Sequence, residues 1–410
     1  MSDHNQISKP VINFTIEHLF NHFQQGKLFL RPVLKNNKRS FQRLPWWKRN
    51  KKIYLIHSIF EGTTLPPIFM YQDKNLNIHI VDGQQRLSAI FEYLQDEYKT
   101  TQKGMLEKDH PSENLSKKLE GNKFSKLDED SKDRILDYNL RIEEIQGSKQ
   151  RSNVFGQKIQ DLFHRLNVTS DNMTAMEIWN NTYSGDLIDL LFDIQSTLGF
   201  TGPDEADTQV NLKDALLNYS LASMRVVSRS DILRMQDIDL ILQLAMAIDK
   251  KGPQHKEEGI KQFCADNATM TLNHKNRIKK AFMENILIIE QMNSGDFDFA
   301  KSEFKKKHDF YSLFCAVDEM RRKGEISAKT VKSELIRKGK RLAKLGVAIR
   351  SCMERDADIS TVTSWDKINI SYKKKLPTYV ESKRSNWSFQ KSRKLRADLI
   401  RAFLVRKAKA

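Results

Sequence analysis

Ile78-His79-Ile80-Val81-Asp82-Gly83-Gln84-Gln85-Arg86-Leu87 decides how the chain begins to fold, because an apolar run of strand type passes through a glycine straight into the polar first turn of a helix. Gly83 tolerates the backbone angles of a tight turn. The N–H groups of Gln84, Gln85 and Arg86 are expected to point outward at the positive end of the helix dipole, where a phosphate or carboxylate fits. Arg86 adds a planar two-pronged donor, the amides of Gln84 and Gln85 can donate or accept, and Asp82 can cap the helix or hold a phosphate-bound metal ion. The plainer alternative makes Asp82 only an N-cap and Arg86 only half of a surface ion pair.

Working outward, Ile68 to Tyr71 reads as a second strand, joined to Ile78–Val81 by the polar turn Asp73-Lys74-Asn75, which predicts a hairpin. Leu87, Ile90, Phe91 and Leu94 trace the buried stripe of the helix that follows. Upstream, Ile16, Leu19, Phe20 and Phe23 recur at helical spacing between a capping Thr15 and Gly26, and Ile53, Ile56, Ile59 and Phe60 mark a second helix closed by Gly62. Pro66 and Pro67 forbid its continuation. Residues 99 to 126 are polar without a period and predict an exposed insertion, followed by a short helix from Asp128 to Leu136 and a strand from Leu140 to Ile145. Beyond that the β signal fades. Helices are predicted over 153–166, 174–183, 186–198, 212–225, 230–249, 275–292, 301–320, 327–351 and 392–405. The expected fold is α+β: a small mixed N-terminal part over residues 1–150, then a mostly helical part over 151–410 that carries a basic tail.

The formal net charge is +17, and residues 371 to 410 hold thirteen Lys or Arg against Glu381 and Asp398, so +11 of it lies there. Tyr372, Tyr379, Trp387 and Phe389 interleave with Lys373, Lys374, Lys375, Lys383, Arg384 and Lys391, a mixture suited to nucleic-acid phosphates and stacking on bases. A solvated basic face with a few core aromatics is the alternative. No run approaches the roughly 18 apolar residues needed to span a bilayer, and the start, Met1-Ser2-Asp3-His4, lacks a secretory pattern. Cys264, Cys315 and Cys352 are scattered, with no CxxC pair and no histidine at ligand spacing, which predicts buried thiols in a reducing cytoplasm.

Several motifs together resemble one family. Phe41-Gln42-Arg43, Trp47, Leu55-Ile56-His57-Ser58-Ile59-Phe60-Glu61-Gly62, Leu65-Pro66-Pro67-Ile68 and Val81-Asp82-Gly83-Gln84-Gln85-Arg86-Leu87-Ser88-Ala89-Ile90 are similar, in order, to the GmrSD restriction-endonuclease N-terminal family. So are Leu162-Phe163-His164-Arg165-Leu166-Asn167 and Met173-Thr174-Ala175-Met176-Glu177. The resemblance implies a ParB/sulfiredoxin-like core in which Asp82, Gly83, Gln84, Gln85 and Arg86 bind a nucleoside triphosphate with Mg²⁺, with Arg43 as the nearest basic partner. It also implies DNA as the partner polymer and a role in restriction or phage defence. Asn167, Asn172 and Glu177 are polar enough to reach a ligand, although Thr174 and Glu177 also have the spacing of a capping box.

One departure stands out. Many relatives carry a histidine-based, metal-dependent nuclease motif in a second domain, and the sequence holds no counterpart, which opens a role for a separate nuclease subunit. His308-Asp309 lies within an apolar helical pattern, and Gly324 to Thr330 lacks the second glycine of a phosphate-binding P-loop. There is no Gly-x-Ser-x-Gly elbow.

Overall fold

The computed structural model describes residues 12–31, 47–101, 117–145, 159, 162, 176, 185–200, 218–255, 258–293, 297–354, 376–384 and 389–405. Two compact units result, Met1–Thr182 with Pro203–Val210 and Tyr183–Gly202 with Asn211–Ala410. The division lies beyond residue 150 because Ile159 and Leu162 pack against Tyr71, Val81 and Ile145 on the sheet of the first unit.

The first unit runs β1 (Ile12–Thr15), α1 (Ile16–Gln24), β2 (Leu28–Phe29), α2 (Arg49–Phe60), β3 (Ile68–Gln72), β4 (Ile78–Asp82), α3 (Gln84–Leu94), α4 (Glu129–Leu136) and β5 (Asn139–Glu144). Its five strands form a mixed sheet in the order β1-β5-β3-β4-β2. The predicted hairpin is present, with Tyr71 opposite His79 and Gln72 opposite Ile78, and β2 and β5 pair in parallel with β4 and β3. Alternation sends Ile68, Met70, Ile78, Ile80, Leu140 and Ile142 to one face, where they pack with Ile16 and Leu19 of α1, Ile53 and Ile56 of α2 and Leu87 and Ile90 of α3.

Local chemistry sets the helix starts. Thr15 Oγ1 accepts from His18 N at 3.1 Å to open α1, and Asp128 accepts from Ser131 N at 2.9 Å to open α4. The expected exposed insertion is anchored at both ends: Leu119 is fully buried, and Thr100 and Asn122 exchange backbone bonds with the turn between them. Residues 102–116 lie outside the described residues.

The second unit is helical in its described residues: α5 (Asp186–Thr197), α6 (Ser220–Ser223), α7 (Arg229–Leu233), α8 (Gln236–Asp249), α9 (Glu258–Asp266), α10 (Leu272–Met292), α11 (Lys307–Arg322), α12 (Lys332–Glu354), α13 (Leu376–Arg384) and α14 (Gln390–Val405). The helix expected over 230–249 is two, because a Ser228–Asp231 capping box opens α7 and Met235 then takes a left-handed φ of 54°. The helix expected over 301–320 starts only at Lys307. Asp298 and Ser302 each cap a short 3₁₀ turn before it, accepting from Ala300 N and Phe304 N. Cys264 and Cys315 are buried as expected, and burial pushes both thiols up to about 12. No helix of the described residues is long and apolar enough to cross a membrane.

Asp237, in the first turn of α8, is wholly buried. Its Oδ2 accepts from Gln195 Nε2 at 2.6 Å and Tyr219 OH at 3.1 Å, while Oδ1 has no hydrogen-bond partner among the described residues. Burial outweighs these bonds and pushes the carboxyl up to about 6. A carboxyl whose pKa is raised by folding binds its proton more tightly in the native state, so stability is lost as pH rises from about 4 to about 6. Asp237→Asn keeps an acceptor for both donors and cannot ionise. Its melting temperature should exceed that of wild type at pH 7.5 by an amount corresponding to on the order of 3 kcal/mol, and the gap should close near pH 4. Thermal melts at both pH values decide it, since an equal gap at each would assign the effect to packing.

Candidate functional site

At the end of β4, Gly83 takes φ 102° and ψ 1°, and α3 begins at the next residue. A Cβ at position 83 would stand 2.8 Å from Ile68 Cγ1, so glycine is required both by the left-handed backbone and by the approach of β3. Among the described residues no side chain caps α3, and its first turn holds no acid. Asp82, one residue before Gly83, is the acid next to the positive end of its dipole.

Asp82 is the last residue of β4, paired across the sheet with Phe69, and its carboxylate lies 3.7 Å from Arg86 Nη2. Arg86 reaches back over the preceding loop. Its Nη1 donates to Pro66 O, and its Nη2 donates to Pro67 O at 2.8 Å. Two of its five N–H donors are thus engaged by carbonyls rather than facing outward. Burial lowers the pKa of this guanidinium, while Asp82 and Tyr138 act to raise it. The Tyr138 hydroxyl donates to Thr63 O at 2.6 Å, so the loop from Thr63 to Pro67 is held at one end by tyrosine and at the other by arginine. Gln84 is buried, Gln85 is half-buried, and both have partners.

Arg43 lies outside the described residues. Beside it in sequence, Trp47 packs against the core and carries Lys51 Nζ at 4.1 Å over its ring. The contacts of Thr63, Pro66, Pro67 and Tyr138 leave no signal in the sequence. The Pro-Pro pair signals only a helix stop, and nothing local ties it to an arginine some twenty residues on.

At the other end of β4, the rings of Tyr71, His79 and Phe29 form a stacked ladder across three strands, with centroids 4.7 and 4.9 Å apart. His79 Nε2 pairs with Asp73 Oδ2 at 3.1 Å. Burial works to raise the Asp73 pKa, but hydrogen bonds from the Asn77 side chain, His79 and the Asn77 and Asn75 backbone outweigh it and bring it to about 2.

Part of the tail is core. Tyr379 is a core residue, fully buried, with its hydroxyl donating to Asp309 Oδ1 at 2.7 Å. Arg393 and Arg396 are buried as well. Arg393 Nη2 donates to Gln243 Oε1 at 2.7 Å and its guanidinium lies 4.1 Å over the Tyr311 ring; Arg396 Nη1 donates to Ser382 O at 2.6 Å. Arg401 pairs with Glu325. The reason is periodicity: in α14 positions 393, 396, 397 and 400 share the inward face, and α14 lies along α11. Lys391 and Lys394 stay exposed, and Phe389 is 48% exposed beside His255. Lys383 and Arg384 lie on α13, whereas Lys373, Lys374, Lys375, Tyr372 and Trp387 lie outside the described residues, as do Asn167, Asn172 and Glu177.

His308 Nε2 lies 3.3 Å from Asp309 Oδ2, and Asp309 is itself wholly buried. Among the described residues no three His, Cys, Asp or Glu side chains group to hold a metal ion. Asp82 nonetheless suits the hypothetical Mg²⁺, which is held through one or two carboxylates together with substrate phosphates.

Residues 16–184 match the family model described as GmrSD restriction endonuclease, N-terminal domain. No curated protein and no solved structure matches the chain.

Proposed function

Since residues 16–184 belong to the GmrSD restriction-endonuclease N-terminal domain family, we propose that the chain is a nucleotide-dependent DNA-binding and restriction protein of bacterial phage defence. In this reading Asp82-Gly83-Gln84-Gln85-Arg86 takes the phosphates of a nucleoside triphosphate with Mg²⁺. The observation that carries it is the left-handed Gly83 directly before an eleven-residue helix with no side-chain cap, the backbone arrangement that receives phosphate elsewhere. Asp82 supplies the carboxylate for the metal ion. Arg86 ties the 63–67 loop to the turn through Pro66 and Pro67, and its Nη2 also lies 3.7 Å from the Asp82 carboxylate. Triphosphate binding at this point would thereby be felt by the loop.

Calorimetric titration of the full chain with each common nucleoside triphosphate and Mg²⁺ is expected to give binding for at least one. Arg86→Ala is expected to weaken that binding about tenfold or more, a change of ~1.4 kcal/mol or greater. No heat with any triphosphate on folded wild type would overturn the nucleotide reading.

A second reading, a nucleic-acid-binding or sensor subunit working with a separate nuclease, is favoured by Asp309. This carboxylate, next to His308, is shut in the core and accepts from Tyr379 instead of facing a substrate. Cleavage of DNA by the chain alone, with Mg²⁺ and triphosphate, would reject it.

A further inference from the structure

We propose that the outward face of α12 is a ridge that binds the phosphate backbone of duplex DNA without reading its sequence; this rests on the DNA-acting reading above. The 23 residues of α12 include seven Lys or Arg against two Glu, a balance of +5. Packing sorts these cations by face. The inner face is marked by Gly339, where a Cβ would stand 2.1 Å from Met292 O, and by buried Leu335, Leu342, Leu345 and Ile349. On its flank Lys338 and Arg341 turn inward and both donate to Leu404 O, at 2.9 and 3.3 Å, closing the C-terminal end of α14.

Of the other five, Arg350 pairs with Glu303 at 3.3 Å, and Lys332, Arg337, Lys340 and Lys344 are exposed. Arg337, Lys340 and Lys344 follow the i, i+3, i+7 spacing of one helical stripe. Several cations elsewhere in this unit are matched with acids: Lys275 with Asp186, Lys279 with Asp193, Lys307 with Asp231, Arg322 with Asp318, Arg401 with Glu325. Among the described residues Arg337 and Lys344 have no acidic partner, and no acid lies between Glu334 and Glu354 on this helix.

The length of the stripe fits a polyphosphate. At 1.5 Å per residue, Arg337 to Lys344 covers roughly 10 Å, which lies beside about three phosphates of one duplex strand at 3.4 Å of axis each. The chemistry selects the duplex too. The helix contains no aromatic residue, so it has nothing on which an unpaired base can stack. An acidic protein is the poorer match: a protein interface needs an apolar centre, and within the stripe only Val347 is exposed and apolar.

The test is fluorescence anisotropy of a labelled duplex of about thirty base pairs with the full chain, across salt from about 50 to 200 mM. The variant Arg337→Gln/Lys340→Gln/Lys344→Gln keeps good helix formers at exposed positions. It is expected to bind about tenfold or more weakly, with a log–log salt slope about 2.7 shallower. Neutralising Lys250, Lys261 and Lys329 makes the same change in net charge away from α12 and is expected to cost about threefold or less. The charge-keeping variant Arg337→Lys/Lys340→Arg/Lys344→Arg should bind as wild type does. If wild type binds and the stripe and control variants weaken equally, or neither weakens, the ridge is rejected while the DNA-acting reading stands. If wild type binds no duplex even at the lowest salt but binds poly-glutamate, both fall and an acidic protein takes the place of DNA.

Discussion

Arg396→Ala is expected to destabilise the helical unit by about 3–5 kcal/mol, the range for removing one member of a buried charged network. Arg396 is fully buried; its Nε donates to Ser312 Oγ at 3.2 Å and its Nη1 to Ser382 O at 2.6 Å. Burial lowers its pKa, and Tyr379 and Asp309 act to raise it, so its charge acts on a carboxylate that is wholly buried itself and that also meets Tyr379 and His308. With alanine, Ser382 O loses its donor and Asp309 keeps Tyr379 OH but not the cation. Arg396→Lys restores charge without the planar fork and should recover part of the loss. Tyr379→Phe removes one hydrogen bond to a charged group and should cost less, about 1.5–3 kcal/mol. Urea denaturation followed by far-UV circular dichroism ranks the three. A loss under about 1 kcal/mol for Arg396→Ala would mean that the arginine's desolvation cancels its contacts.

Gly83→Ala is the second large effect, because two independent penalties fall on one methyl group. A non-glycine residue at φ 102° costs about 1–3 kcal/mol. The contact at 2.8 Å with Ile68 Cγ1 adds an overpacking cost of about 1–3 kcal/mol. Gly62→Ala separates the two terms: Gly62 has φ 74° with nothing within 4 Å of its would-be Cβ, so it carries only the backbone cost, about 1 kcal/mol. The difference between the variants is therefore the Ile68 contact. Because β3 leads back to Pro67, pushing Ile68 away also shifts the carbonyls that hold Arg86, and triphosphate binding is expected to fall further than stability alone accounts for. Equal stability and equal binding for Gly83→Ala and wild type would remove the turn from consideration as a built site.

Elements whose signal is local were legible in the sequence. The hairpin from Ile68 to Asp82, the cap at Thr15 and the helix after Gly83 each declare themselves within a few residues, through alternation, a hydroxyl or a glycine. β1 and β2 did not, since four and two residues are too few to show a period, and both owe their pairing to β5 and β4 rather than to propensity. The tail shows a different limit. Tyr379, Arg393 and Arg396 look, as letters, like the exposed basic and aromatic residues around them. Only their register on α13 and α14 against α11 turns them inward. Arg86 shows a third limit, as its partners Pro66 and Pro67 are remote in sequence and offer carbonyls, which carry no side-chain signature. The charge on α12 was visible as composition, yet the division into inward Lys338 and Arg341 and outward Arg337 and Lys344 needed the position of Leu404.

The pairing of β1 with β5 bears on the order in which the first unit is assembled. Phe14 stands opposite Leu140, whereas Tyr71 and His79 face each other across one short turn. Closing the long loop between Phe14 and Leu140 costs more entropy than closing the turn between Tyr71 and His79, so the β3–β4 hairpin is poised to form early and the β1–β5 pair late. During synthesis the amino-terminal strand must wait, with its backbone groups unpaired, until residues near 140 have left the ribosome. A nascent chain halted before that point would present an open sheet edge at β3, the kind of edge that chaperones shield and that other unfinished chains can join.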